Sequence, residues 1–243
     1  MRVVLLTRPL LLAPPSVERL RQRGYGVFHE PLLTIRPLST PRPSFETPPI
    51  VVITSRVVFD VLASRKGEVE DLLLRPCYCV GEKTAQAAHL FGFTDIRRAA
   101  CDSEDLARCL IRQESKKTPV LHIGGDDREE AFYKKVHHAG WPEVRAWPVY
   151  KAEAAETLTE ELTLLLSHHK LDVALFYSSR TARVFVRLIR QNKLEACCSS
   201  LTAIGLSPSV LEALKPLPFK ALLAASQPTE TDLVTCLTTH VPL

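Results

Sequence analysis

The sequence predicts an α/β protein in which parallel sheets are covered by helices on both faces, built as two similar α/β/α domains. Three observations predict it. Short apolar runs alternate with amphipathic stretches of ten or so residues. The alternation persists along all 243 residues, a length that suits one large or two small domains. Several motifs also recur at a nearly constant spacing. With 46% apolar and 24% charged residues the chain has the composition of an ordinary globular protein. That excludes a disordered chain, a collagen-like repeat and a coiled coil.

Val3–Leu6 reads as a buried strand, and Ser16–Arg23 as part of a helix ended by Gly24. Val27–His29 is the next strand. Pro37, Pro41, Pro43, Pro48 and Pro49 then mark an extended linker, because proline lacks the N–H that a helix or sheet needs. Ile50–Ile53 is a strand followed by a helix from about Ser55. Cys77–Val80 is a strand followed by a helix from about Glu82 to near Gly92, and Asp95–Arg97 is a short strand. Ser103-Glu104-Asp105-Leu106 has the form of a capped helix start, with acids in the first turn. Val120–Ile123 is a strand, Arg128–Ala139 a helix closed by Gly140, and Val144–Tyr150 a strand. The rhythm continues with a helix over Thr157–Ser167, a strand over Asp172–Tyr177 and a helix over Thr181–Arg190. Strand Leu201–Ile204, a short helix Val210–Leu214, strand Phe219–Leu222 and a last helix Glu230–Leu237 follow.

The repeat is internal duplication. Val51-Val52-Ile53-Thr54-Ser55-Arg56 parallels Ala174-Leu175-Phe176-Tyr177-Ser178-Ser179-Arg180, and Cys79-Val80-Gly81 parallels Ala203-Ile204-Gly205. Ser55 and Ser179 lie 124 residues apart, as do Gly81 and Gly205. Asp105-Leu106 matches Asp232-Leu233 at a spacing of 127, and Gly24 matches Gly140 at 116. On the residues alone the chain divides once, near residue 117.

Net charge is +4 and the isoelectric point about 8.7. That is compatible with a small acidic ligand, but no basic run would track a nucleic-acid backbone. No stretch approaches the ~20 apolar residues of a membrane span. Arg8 and Pro9 interrupt the apolar start, so it reads as a strand rather than a signal peptide, and the expected location is the cytoplasm. Seven cysteines, Cys77, Cys79, Cys101, Cys109, Cys197, Cys198 and Cys236, are spaced C-x-C and C-C, which suits reduced thiols. Adjacent histidines (His137-His138, His168-His169) do not face one ligand from a helix. The expectation is no metal.

The residues that could carry chemistry stand at strand ends. Thr54-Ser55 and Tyr177-Ser178-Ser179 form one pair of turns; Gly81 with Thr84, and Gly205 with Ser207 and Ser209, form the other. Ligands in open α/β sheets bind beyond the carboxyl ends of strands, where helix N-termini offer unpaired N–H groups. Such turns would suit a polyanion; the same hydroxyls could equally serve only as helix caps. Gly124-Gly125-Asp126-Asp127-Arg128 opens a helix, but it fits neither a phosphate loop nor a dinucleotide fingerprint. Thr7-Arg8-Pro9 also follows a strand; Arg8 could pair with a carboxylate or lie on the surface. Tyr150 ends a strand at a domain junction, either packed or as a proton donor. No spacing identifies a Ser-His-Asp or Cys-His set.

In order, Thr7-Arg8-Pro9, Ile53-Thr54-Ser55, Val80-Gly81 with Thr84-Ala85, Pro148-Val149-Tyr150, Tyr177-Ser178-Ser179 and Ala203-Ile204-Gly205 resemble the uroporphyrinogen-III synthase family over nearly the whole chain. The resemblance implies two α/β domains joined by a two-stranded linker, with a cleft between them. Residues 1–35 plus 152–243 would form a discontinuous domain and 50–147 the other, with 36–49 and 148–151 as linker. It implies cyclisation of hydroxymethylbilane to uroporphyrinogen III, with loss of water and inversion of ring D through a spiro-pyrrolenine, without a cofactor. By motif position Tyr150 would assist hydroxyl departure. Thr7, Arg8, Ser55, Gly81, Thr84, Ser178, Ser179, Gly205 and Ser207 would meet the substrate. Leu206-Ser207-Pro208-Ser209 stands where the family has a second threonine, and the Gly124-Gly125 turn lacks the basic residue often found before it. The implied partners are the small-molecule substrate and the preceding and following tetrapyrrole-pathway enzymes; the residues themselves give the expectation of no nucleic acid and no membrane, and of a monomer, because no exposed apolar helix is left over once the sheets are covered. The competing class is a non-catalytic two-lobed module that binds a small polyanion.

Overall fold

The computed structural model describes residues 1–99, 103–127 and 130–243. Cys101 and Arg128, singled out above, lie outside the described residues. The chain divides into two compact units, one of Met1–Ile35 with Glu153–Leu243 and one of Arg36–Ala152.

The first unit holds β1 (Val3–Leu6), α1 (Pro14–Arg21), β2 (Gly26–His29) and the start of β3 (Leu33–Pro37). The second holds β4 (Ile50–Ile53), α2 (Val57–Leu62), β5 (Cys77–Val80), α3 (Gly81–Phe91), β6 (Ile96–Ala99), α4 (Ser103–Gln113), β7 (Val120–Gly125), α5 (Glu130–His138) and most of β8 (Val144–Ala154). The chain then returns to the first unit with α6 (Glu160–Ser167), β9 (Val173–Phe176), α7 (Ser179–Gln191), β10 (Thr202–Gly205), α8 (Pro208–Leu214), β11 (Ala221–Ala224) and α9 (Glu230–His240).

In the first unit the strand order is β11-β10-β9-β1-β2, every pair parallel. β1 and β9 are central because Val-Val-Leu-Leu and Val-Ala-Leu-Phe can be buried on both faces. Strand alternation sorts their side chains. Leu5, Ala174, Phe176 and Ala203 face the core under α6, α7 and α8. Val4, Leu6, Val173, Leu175 and Ile204 face the core under α1 and α9.

In the second unit the order is β3-β8-β7-β4-β5-β6. From β8 to β6 the pairs are parallel. β3 joins at the edge, where Leu38 N–H bonds the Val149 carbonyl and Ala155 N–H the Leu32 carbonyl, a run in opposite directions that makes the pair antiparallel. Ile50, Val52, Tyr78 and Val120 pack against Leu106, Leu110, Phe132 and Val136 of α4 and α5.

Leaving β3 aside, the two sheets share one order. Counting the second unit's parallel strands from β4, it is third-second-first-fourth-fifth, and the first unit reads the same from β9 with β1 and β2 in the last two places. The helices after first and fourth strands leave to opposite faces, so each unit has a switch point there, between β4 and β7 and between β9 and β1.

Several boundaries differ from the sequence reading for physical reasons. α6 begins at Glu160, not Thr157, because the Thr159 hydroxyl caps it by accepting from Leu162 N–H at 3.2 Å. β8 continues past Tyr150 to Ala154, and β3, unmarked in the sequence reading, ends on Pro37, the first of the linker prolines, because the two strands supply each other's hydrogen bonds. The duplication also shifts register. β4 ends at Ile53 and β9 at Phe176, which sets Ser55 opposite Ser178 rather than Ser179. Among the described residues no helix is long and apolar enough to cross a membrane, and no three His, Cys, Asp or Glu side chains gather as a metal cluster. Cys77, Cys79 and Cys198 are buried free thiols, and Cys109, Cys197 and Cys236 are half-buried free thiols.

Candidate active site

At the switch point of the second unit, β4 runs out into Thr54-Ser55 and β7 into Gly125-Asp126. Ser55 is half-buried, and its hydroxyl accepts the Val57 N–H at 3.3 Å ahead of α2. Beside it β5 ends in Gly81, which opens α3 at φ +72° and has no neighbour within 4 Å of where a Cβ would stand. Thr84, one turn into that helix, is 6% exposed.

Tyr150 lies across β7 from this turn. It pairs with Gly125 at an irregularity in the β7–β8 register, and its carbonyl accepts the Asp126 N–H at 2.9 Å. A Cβ built on Gly125 would stand 3.0 Å from Tyr150 Cε2 and 3.3 Å from its hydroxyl. The phenol therefore lies directly on the bare Cα of Gly125. Two residues before the glycines, His122 is buried, with Nδ1 2.9 Å from the Tyr133 hydroxyl and Nε2 without a hydrogen-bond partner. Burial pushes its imidazole down to about 4, which keeps the ring neutral.

The first unit's switch point is built differently. The Thr7 hydroxyl is fully buried and donates to the Leu175 carbonyl at 2.7 Å, tying β1 to β9. Arg8 turns inward as well. Its Nη1 donates to Glu230 at 3.0 Å and to Ser16 at 2.8 Å, and its guanidinium lies 4.2 Å from the centroid of the Tyr177 ring. Ser16 also donates to Glu230, Arg19 approaches the other carboxylate oxygen at 3.9 Å, and Arg8 Nε has no acceptor. Burial, with the Glu230 charge adding to it, pushes the Tyr177 phenol up to about 12, so it stays protonated. Thr7 and Arg8 thus hold the strand end from within, where the sequence reading had offered them to a ligand.

Ser178 caps α7, accepting the Thr181 N–H at 3.1 Å. Ser179 donates to Ser209 at 3.3 Å, and Ser209 lies 3.0 Å from Ser207, which precedes α8 without capping it through its side chain. Gly205 is buried; a Cβ there would meet Leu211 at 2.9 Å and Val210 at 3.0 Å, so β10 ends hard against α8. The structure therefore joins Ser179 and Ser207 through Ser209 in one unit and Tyr150 with Gly125 in the other. Two participants escaped the sequence reading. Glu230 is 222 residues from Arg8, and no spacing rule connects them. Gly125 had been singled out with its turn, but not as the seat of Tyr150.

In composition these strand ends offer phenols, hydroxyls and backbone amides, a set that can bind carboxylates and donate a proton. The sequence model for uroporphyrinogen-III synthase HemD matches residues 15–235. A sequence comparison with curated proteins gives no match. Among solved structures, a mutant selenomethionine uroporphyrinogen III synthase from the extreme thermophile Thermus thermophilus is similar with a TM-score of 0.61 at 11% identity, over 98% of both chains. The wild-type Thermus thermophilus enzyme in another crystal form has a TM-score of 0.40 at 14% identity, over 98% of this chain and 96% of that one. At 11% identity the first of these likenesses is one of fold.

Proposed function

The chain belongs to the uroporphyrinogen-III synthase family, and from that premise we propose that it closes hydroxymethylbilane into uroporphyrinogen III with inversion of the last pyrrole ring. The family match, running through both sets of strand-end turns, is the observation that carries the reading.

The reaction begins with loss of the substrate's terminal hydroxyl as water, which needs a proton. Tyr150 is the proposed donor. Departure leaves a conjugated azafulvene cation. Ring D attacks it through its substituted carbon, the resulting spiro-pyrrolenine fragments, and the ring recloses inverted through its free carbon, whose proton is then lost and restores the donor. The enzyme's main task is to hold the chain folded so that the substituted carbon, and not the free one, meets the cation first. Eight carboxylates give it handles. Ser55, Gly81 and Thr84 in one unit, and Ser178, Ser179, Gly205 and Ser207 in the other, are proposed to bind them through hydroxyls and the N–H groups that open α3 and α7. Thr7 and Arg8 would serve this surface from behind, by fixing the β1 and β9 ends. As proposed, the reaction calls for no cofactor and a single copy of the chain, in the cytoplasm.

The test is product analysis. Hydroxymethylbilane is generated in situ with the purified protein present, the products are oxidised, and the uroporphyrin isomers are separated by chromatography. Dominant isomer III is the expected result. Isomer I alone, from demonstrably folded protein, overturns the cyclase reading and leaves a non-catalytic polyanion-binding module.

A further inference from the structure

α7 has two unlike sides. Seven of its residues, between Thr181 and Ile189, are buried, and all of them lie on one arc of the helix. On the opposite arc stand Arg183, Arg187 and Arg190, all exposed, with Arg180 in the first turn. Spacings of three, four and three residues bring the four arginines within a sector of roughly 80° at about 100° per residue. Only Gln191 and Ser179 share that sector or its border, so the solvent side of a 13-residue helix is almost wholly arginine.

On other helices several such charges are partnered, although Arg21 and Arg112 are not among the described residues. Arg108 pairs with Glu104, Lys134 with Glu130 and Lys215 with Glu212, each one turn away on its own helix. Arg183, Arg187 and Arg190 have no carboxylate within salt-bridge distance among the described residues. Arg187 and Arg190 each donate through one nitrogen to a backbone carbonyl, of Ala155 and of Pro216, and both residues are exposed. Like charges three and four residues apart on a helix repel, and only Arg190, in the last turn, is favoured by the helix dipole. Repulsion among Arg183, Arg187 and Arg190 is relieved by no carboxylate among the described residues, and a bound polyanion would relieve it. The row begins beside Ser178 and Ser179, where the hydroxyl cluster of the first unit lies.

We infer that the arginine side of α7 is an approach track for the polycarboxylate substrate, holding the anion by charge along ~15 Å of helix and delivering it to the serine cluster. The inference rests on the cyclase reading, which supplies an octacarboxylate. Exposed cations in a row raise the local concentration of such an anion and its rate of association, an effect that salt screens.

The experiment compares wild-type protein with the triple variants R183Q/R187Q/R190Q and R183K/R187K/R190K, following isomer III formation from in situ bilane at several ionic strengths. Thermal melts establish that each variant is folded. The glutamine variant is expected to lose about tenfold in kcat/KM at low salt, with kcat kept and with a flatter dependence on salt. The lysine variant, which keeps the charges, is expected to stay near wild type. An unchanged kcat/KM in the glutamine variant overturns the track, and points to the row serving some other anion such as an acidic protein surface. Equal losses in both variants with an unaltered salt slope assign the arginines to packing, which also overturns it. Isomer I alone from the wild-type protein is a different failure, that of the cyclase reading itself.

Discussion

A methyl group is enough to test the seat of Tyr150. Added at Gly125, it would meet the phenol ring at 3.0 Å, closer than carbon atoms pack, and the ring must tilt or lift. Gly125→Ala is therefore expected to lower kcat by the misplacement of one hydroxyl, by roughly tenfold or more, with KM little changed. Tyr150→Phe keeps the ring and removes the proton, so it too should lower turnover more than affinity; unchanged turnover would remove Tyr150 from the chemistry. Glu230 makes a contrasting case. Glu230→Ala leaves Arg8, only 10% exposed in its side chain, without its carboxylate, and breaking a buried pair from one side costs about 3–5 kcal/mol. Urea unfolding should report that loss. His122 yields a pH dependence with a definite sign. Above its ordinary value of 6.5 the ring is neutral in folded and unfolded chains alike. As pH falls from 6.5 toward 4 the unfolded chain takes a proton that the buried ring refuses, so stability declines, by up to ~3 kcal/mol from this group. His122→Phe should flatten that part of the stability curve, and an unaltered slope would show that other groups set it.

Gly24 and Gly140 show what the elements owe to local rules. Both close the helix that follows the fourth strand of their sheet, at φ +83° and +81°, and an aromatic residue follows each: Tyr25, bonded to the Val241 carbonyl, and Trp141, bonded to that of Thr118. Around Gly140 only the tip of Lys116 comes within 4 Å, so Gly140→Ala is a nearly pure test of backbone conformation. It should cost ~1–2 kcal/mol, read as a lower urea midpoint. Signals of this kind are why much of the fold was legible. Runs such as Ile50–Ile53 have one comfortable conformation, and the helix-closing glycines stand in the sequence for anyone to count. β3 was not legible, because Leu33–Pro37 is a strand only through what β8 offers it. Of the candidate site, the placement of Ser55, Gly81, Ser178 and Ser207 just past strand ends followed from pattern. The inward turn of Arg8 did not, because it depends on a carboxylate at the far end of the chain.

At the scale of the molecule, the repeat spacings carry more than duplication. Gly24 precedes its counterpart, whereas Ser178 follows Ser55, so the correspondence runs forward from one unit for two strands and backward for three. That is the signature of a circular permutation, and the shared strand order bears it out. Separate cores give a separable readout. Both tryptophans, Trp141 and Trp147, are buried in the second unit. Glu230→Ala, in the first unit, is therefore expected to lower the unfolding midpoint seen by far-ultraviolet circular dichroism while leaving the tryptophan-fluorescence midpoint in place. Coincident shifts would show that the units unfold together.

The permutation also sets a timetable. β1 is a central strand, and one of its two neighbours, β9, lies more than 160 residues further along. On a ribosome adding about 5–20 residues per second, Val3–Leu6 would emerge some ten to thirty seconds before that neighbour exists, while the whole second unit is made in between. The most apolar strand of the first unit would spend its early life with only β2 beside it and its β9 edge open, a natural client for a chaperone, and a pause in translation after residue 152 would prolong that exposure without touching a single native contact.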